Sequence, residues 1–130
     1  MGSDHLFVYG TLLPGHLRWG LLEPYATAVE PATVGGELWD TGNGWPAADF
    51  DPTSKSLVPG VVVTFERNDL NRLLGSLDSM EGVSNPPRPE TDPYLRIRVN
   101  VTGVEAWTYH ATSIAKNWQR CDSWDGQLER

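Results

Sequence analysis

Two adjoining stretches in the middle of the chain limit its folding most. Gly60-Val61-Val62-Val63-Thr64-Phe65-Glu66 is an apolar run of strand length, which predicts a strand buried on both faces. Directly after it, Leu70, Leu73, Leu74, Leu77 and Met80 recur at spacings of three and four. That spacing predicts a helix over Asn68 to Met80 with one apolar side. Asn68 suits its N-cap, Asp69 the positive end of its dipole, and Gly82 its C-terminal cap. With one good helix and no regular alternation of strands and helices, the expected fold is α+β: a mixed, mostly antiparallel sheet curled into a small barrel with flanking helices.

The rest of the chain fits strands and turns around that pair. Leu6 to Tyr9 reads as a strand that stops at Gly10, since Leu13-Pro14-Gly15 cannot continue it. A turn of this kind leaves backbone N–H groups pointing outward and makes a site for a carboxylate or phosphate; an edge strand with an ordinary turn is the other reading. His16 to Glu23 carries a partial helical stripe that Pro24 would end. Ala26 to Trp39 predicts one or two strands interrupted by a bulge at Gly35-Gly36. Asp40 to Pro59, dense in Gly, Pro, Asp, Asn and Ser, predicts a long loop with one short strand, placed where it could wall a pocket.

Four prolines make Ser84 to Pro93 irregular. From Tyr94 to Val101 the chain alternates, with Leu95, Ile97, Val99 and Val101 on one face and Tyr94, Arg96, Arg98 and Asn100 on the other. Gly103 turns it into a partner strand, Glu105 to Ala111. The polar tail from Thr112 to Arg130, with Trp118 and Trp124 inserted, is expected to pack irregularly over the body.

At 130 residues the chain is the size of one domain, 1–130. A formal charge of −7 with only two lysines, Lys55 and Lys116, argues against nucleic acid as partner. No apolar run approaches the roughly 20 residues that span a bilayer. A small molecule is the expected partner, and a monomer or weak homodimer the expected assembly. The N-terminus lacks the marks of a signal peptide, and Cys121 is the only cysteine, which fits a reducing cytoplasm. Six tryptophans are many for this length; core, pocket lining and a sugar-binding face all remain open.

Among the candidates for chemistry, Glu81 stands out. It lies at the end of the best helix, at the unfavourable pole of the dipole and between apolar Met80 and Val83. Both effects would raise its pKa, the direction a general base or acid near neutrality needs; a solvated helix-end glutamate is the plain alternative. Asp40-Thr41-Gly42 spells the aspartic-protease triplet but lacks the preceding apolar strand and a second such element, so it reads as a turn. The three histidines lie apart and no cofactor or nucleotide loop is spelled, so no metal and no cofactor is expected. Arg96 and Arg98 are equally readable as a carboxylate clamp and as a solvated strand face.

Taken in order, Phe7-Val8-Tyr9-Gly10-Thr11-Leu12, Gly36-Glu37-Leu38-Trp39-Asp40 with Trp45-Pro46, Pro59-Gly60-Val61-Val62-Val63, Leu77-Asp78-Ser79-Met80-Glu81-Gly82 with Tyr94-Leu95-Arg96, and Ala106-Trp107-Thr108-Tyr109 resemble the γ-glutamyl cyclotransferase-like superfamily. The likeness is to its small γ-glutamylamine and butirosin-type members and spans residues 6 to about 110. It implies a mixed-sheet barrel and a cytoplasmic, cofactor-free enzyme, of transferase or lyase type, that releases 5-oxoproline from a γ-glutamyl amine or peptide. It puts the catalytic role on Glu81 and substrate binding on Tyr9, Gly10, Thr11, Leu12, Tyr94 and Tyr109. Met80 stands where many members carry an aromatic residue, and Leu13-Pro14-Gly15-His16 departs from the usual polar segment. A non-catalytic carboxylate-binding module of the same fold and a tryptophan-lined carbohydrate-binding domain are the rival readings.

Overall fold

The computed structural model describes residues 2–16 and 18–124. Seven strands and one α-helix follow one another as β1 (Ser3–Val8), β2 (Ala26–Asp40), β3 (Pro46–Phe50), β4 (Leu57–Glu66), α1 (Arg67–Glu81), β5 (Tyr94–Val101), β6 (Val104–Ala111) and β7 (Gln119–Cys121). The strands lie in the order β3-β2-β4-β1-β6-β5, and β7 adds to β2. All pairings are antiparallel except β1 with β6, which meet in parallel at Leu6 and Trp107.

The apolar run 60–66 forms the middle of β4, which is hydrogen-bonded on one edge to β1 and on the other to β2. Gly60 is there because a side chain would not fit: a Cβ would lie 2.1 Å from the Val8 carbonyl oxygen and 2.8 Å from the Phe7 ring. Burial on both faces holds for β1 and β4, and the pleat divides their side chains between two cores. Leu6, Val8, Val63 and Phe65 face Leu70, Leu74 and Leu77 of α1. Phe7, Tyr9, Val58 and Val62 face inward, against Val34, Leu38, Ala48 and Trp124. The sheet curls into a half-barrel round this second core. Phe50 N–H at the end of β3 donates to His110 Nδ1 on β6 at 3.1 Å, drawing β3 toward the far side of the sheet.

The stripe 70–80 does form α1, with Leu70, Leu74 and Leu77 buried and Met80 left exposed. Its N-cap is Glu66, whose carboxylate accepts from Asn68 N–H at 3.0 Å, so Asn68 lies inside the helix and not at its cap. Gly82 closes the C-terminus with φ of 79°. Val83 N–H donates to Asp78 O at 2.9 Å and Gly82 N–H to Ser79 O at 3.3 Å, the two bonds of a Schellman turn.

Other expectations need correction. No α-helix forms over 16–23 among the described residues. Two 3-10 turns, Trp19–Leu21 and Glu23–Tyr25, stand in its place, and Pro24 lies inside the second instead of ending the first. Proline is well placed there because the first positions of a helical turn need no N–H. Gly35-Gly36 makes no bulge; β2 runs through it and changes partners, from β4 before to β3 after, and the register shift falls at Ala26/Ala28. The hairpin of β5 and β6 turns on Thr102 and Gly103, both with positive φ, which matches the twist of a two-residue loop. The faces of β5 are not cleanly apolar and polar: its buried residues are Tyr94 and Val101, at the two ends. The tail contributes β7 and the buried Trp124; positions 125–130 lie outside the described residues. Among the described residues no helix is long and apolar enough to cross a membrane.

Candidate active site

The turn after β1 and the end of α1 face each other across a cavity of about 290 Å³. Tyr9, Gly10, Thr11 and Leu12 form one wall and Ser79 to Gly82 the other. Tyr94 of β5 and Tyr109 of β6 close the floor, Trp45 and Pro46 stand at the start of β3, and Arg18 comes from the entry to the first 3-10 turn. The seven residues expected from sequence to act together, Tyr9, Gly10, Thr11, Leu12, Glu81, Tyr94 and Tyr109, therefore line one cavity.

Local folding explains each wall. Gly10 allows the turn to lie against Pro46, since a Cβ would be 2.7 Å from Pro46 Cγ. Leu13 N–H donates to Gly10 O at 2.9 Å, and Arg18 N–H donates to Thr11 O at 2.7 Å, which folds the following loop back over the turn. Among the described residues no hydrogen bond uses the N–H groups of Gly10, Thr11 and Leu12. Three successive open donors in a largely buried turn are costly unless a ligand or water takes them.

On the opposite wall, Glu81 is the last residue of α1, and the Schellman turn behind it fixes its direction. Pro93 packs where a Cβ on Gly82 would come to 2.8 Å. Burial raises the Glu81 carboxyl and the Arg18 guanidinium draws it part of the way back, so that it stands at about 6 against the ordinary 4.5. The cause is loss of water, as the apolar surroundings in the sequence argument imply. The charge of Glu81 is felt by the hydroxyls of Tyr9, Tyr94 and Tyr109, which sets the carboxylate among the three rings.

Each tyrosine is held well above the ordinary phenol range, chiefly by burial, and each has committed its proton. Tyr9 donates to Tyr109 O at 2.6 Å, Tyr94 to Pro46 O at 3.1 Å, and Tyr109 to Asp78 Oδ1 at 2.7 Å. They shape the cavity, and their hydroxyl hydrogens are not free to meet a developing oxyanion. Arg96 and Arg98 stay outside it. Both stack on Trp107, at 4.6 and 4.2 Å from the ring centre; Arg96 also lies 3.5 Å from Asp78, and Arg98 pairs with Asp4 at 3.1 Å. Asp40-Thr41-Gly42 is a turn, with Gly42 N–H donating to Asp40 Oδ1 at 2.8 Å. Among the described residues no group of three or more His, Cys, Asp or Glu converges as metal ligands.

Arg18 and Trp45 are lining residues that sequence reasoning missed, and Arg18 is the one cationic side chain among the described lining residues. The only signal of Arg18 was composition: a lone arginine six residues after the turn in an acidic chain. The fold brings it in through the Thr11 hydrogen bond.

Residues 6–126 match the family model described as gamma-glutamyl cyclotransferase, AIG2-like. The chain belongs to this family. No curated protein matches it in sequence. Among solved structures it is similar to YkqA from Bacillus subtilis, with a TM-score of 0.67 at 20% identity over 98% of this chain and 42% of that one. The chain thus spans less than half of YkqA. An AIG2-like protein from Mus musculus gives 0.63 at 19%, covering 97% of this chain and 90% of the other. A gamma-glutamyl cyclotransferase gives 0.52 at 17%, covering 92% and 70%. At these identities the structures share the family's fold, a mixed sheet curled into a half-barrel with few helices.

Proposed function

We propose that the chain is a γ-glutamyl cyclotransferase that releases 5-oxoproline from a γ-glutamyl amine or peptide. The observation that carries this is the pairing, across one cavity, of three open backbone N–H groups with a glutamate whose carboxyl is raised to about 6. A γ-glutamyl donor has the complementary chemistry: an α-carboxylate for the turn and an α-ammonium for Glu81.

In this reading the N–H groups of Gly10, Thr11 and Leu12 bind the α-carboxylate, with Arg18 adding positive charge beside them. Glu81, ionised, takes a proton from the α-ammonium. The freed nitrogen attacks the γ-carbonyl carbon and forms the lactam C–N bond. Glu81 then returns the proton to the leaving nitrogen as the old amide C–N bond breaks. The ammonium sheds two protons in all; one passes through Glu81 to the leaving nitrogen, and the other ends on the released amine as its ammonium. Attack is intramolecular, so holding the donor folded supplies much of the rate. With the tyrosine hydroxyl protons and the turn N–H groups committed, charge on the γ-carbonyl oxygen falls to Arg18.

The test is a panel of γ-glutamyl amines and peptides assayed for 5-oxoproline. Wild type is expected to form it, and Glu81→Gln to lose at least about 100-fold in kcat, the usual worth of a general base. Equal turnover by Glu81→Gln would reject the role of Glu81, and no product from any substrate would reject the activity.

A further inference from the structure

The cavity is graded from a buried floor to an apolar mouth. Tyr9, Leu12, Tyr94 and Tyr109 are buried, whereas Trp45 is 44% exposed and Met80 37% exposed, and both line the opening. Isolated exposed apolar residues are ordinary, but two large ones flanking a single opening are the mark of a binding surface.

Trp45 is held there by its backbone on both sides. Thr41 Oγ1 accepts from Asn43 N–H at 3.3 Å and its hydroxyl donates to Trp45 O at 2.7 Å. One residue later, Pro46 O accepts the Tyr94 hydroxyl at 3.1 Å, and the Pro46 ring rests against Gly10. The triplet Asp40-Thr41-Gly42 thus acts as the mount of an aromatic platform. Met80 faces the opening from the last turn of α1, one residue before Glu81.

The geometry points to Trp45 and Met80 as the leaving-group subsite, one that takes an amine bearing an apolar or aromatic substituent. This rests on the γ-glutamyl reading above. With the α-carboxylate at residues 10–12 and the reacting nitrogen at Glu81, the part of the substrate beyond the scissile amide lies toward the mouth. There it meets an indole and a thioether, which pack rings and alkyl chains well and offer no charge. A short substituent fails to reach them, and an anionic one gains nothing from them.

Binding to the Glu81→Gln protein measures this without turnover. Isothermal titration with γ-glutamyl phenethylamide and γ-glutamyl methylamide is expected to favour the aromatic ligand by about tenfold or more. Trp45→Ala and Met80→Ala, each added to Glu81→Gln, are expected to shrink that ratio toward one, and Trp45→Phe to keep most of it. Equal affinities in the parent would overturn the subsite, as would a Trp45→Ala loss of the same size for both ligands. Tighter binding of γ-glutamylglycine than of either would also overturn it and assign the leaving group to Arg18. Absence of 5-oxoproline from wild type would reject the catalytic reading alone, because the affinity ratio does not depend on turnover.

Discussion

Glu81 carries two opposite consequences of its burial. In the proposed role of base it would work only when ionised, so kcat/KM is expected to rise with pH through about 6 and then level off. Because Arg18 holds that value down, Arg18→Gln is expected to move the rising limb to higher pH, as read from pH–rate profiles at low salt. Stability runs the other way. The folded carboxyl titrates above its ordinary 4.5, so the folded state disfavours the charge relative to the unfolded chain. The penalty is absent below about 4.5, grows toward about 6 and is constant above. Glu81→Gln is therefore expected to stabilise the protein near pH 8 by about 1–2 kcal/mol, allowing for its partial contact with water, and to leave it unchanged near pH 4. Thermal melts at the two pH values check this.

Elements differ in how much of their form is local. The stripe 70–77 and the alternating strand 94–101 were legible because their partners lie within the same run or the adjoining hairpin. The cap of α1 was not: Glu66 outcompetes Asn68 because β4 ends in a conformation that aims its carboxylate back at the helix. The segment 16–23 reads as a helix because its apolar residues are spaced for one, yet the described hydrogen bonds here are those of 3-10 turns, with Leu22 N–H to Trp19 O at 2.9 Å and Tyr25 N–H to Leu22 O at 3.0 Å. Two glycines make the same point through opposite expected outcomes. Gly75 lies inside α1 with nothing within 4 Å of a Cβ, so Gly75→Ala is expected to stabilise by about 0.5–1 kcal/mol. Gly60 has the Val8 carbonyl in that place, and Gly60→Ala is expected to cost about 3 kcal/mol or more. Urea titration of the two variants decides both.

Across the whole molecule the site gathers residues from six separated stretches, and this sets what the sequence could disclose. Glu81 and the turn at 9–12 could be found because each is odd where it stands: an acid at the wrong end of a helix, a strand cut short by glycine. Arg18 and Trp45 are unremarkable in their own neighbourhoods and become site residues only through Thr11, Thr41 and Tyr94. Since every wall must be folded for the cavity to exist, a ligand bound there stabilises the entire structure. 5-Oxoproline at 100 times its dissociation constant is expected to add about 2.7 kcal/mol, seen as a rise in Tm that Glu81→Ala diminishes. The parallel pairing of β1 with β6 has a consequence in time. Tyr9 is bonded to a residue 100 positions ahead of it and Thr108 to one 101 positions behind. During synthesis at roughly 5–20 residues per second, β1 leaves the ribosome some 5–20 s before that neighbour exists. Its apolar edge must wait, paired at most with β4, and the cavity-lining turn at its tip is among the last parts of the protein to acquire its final walls.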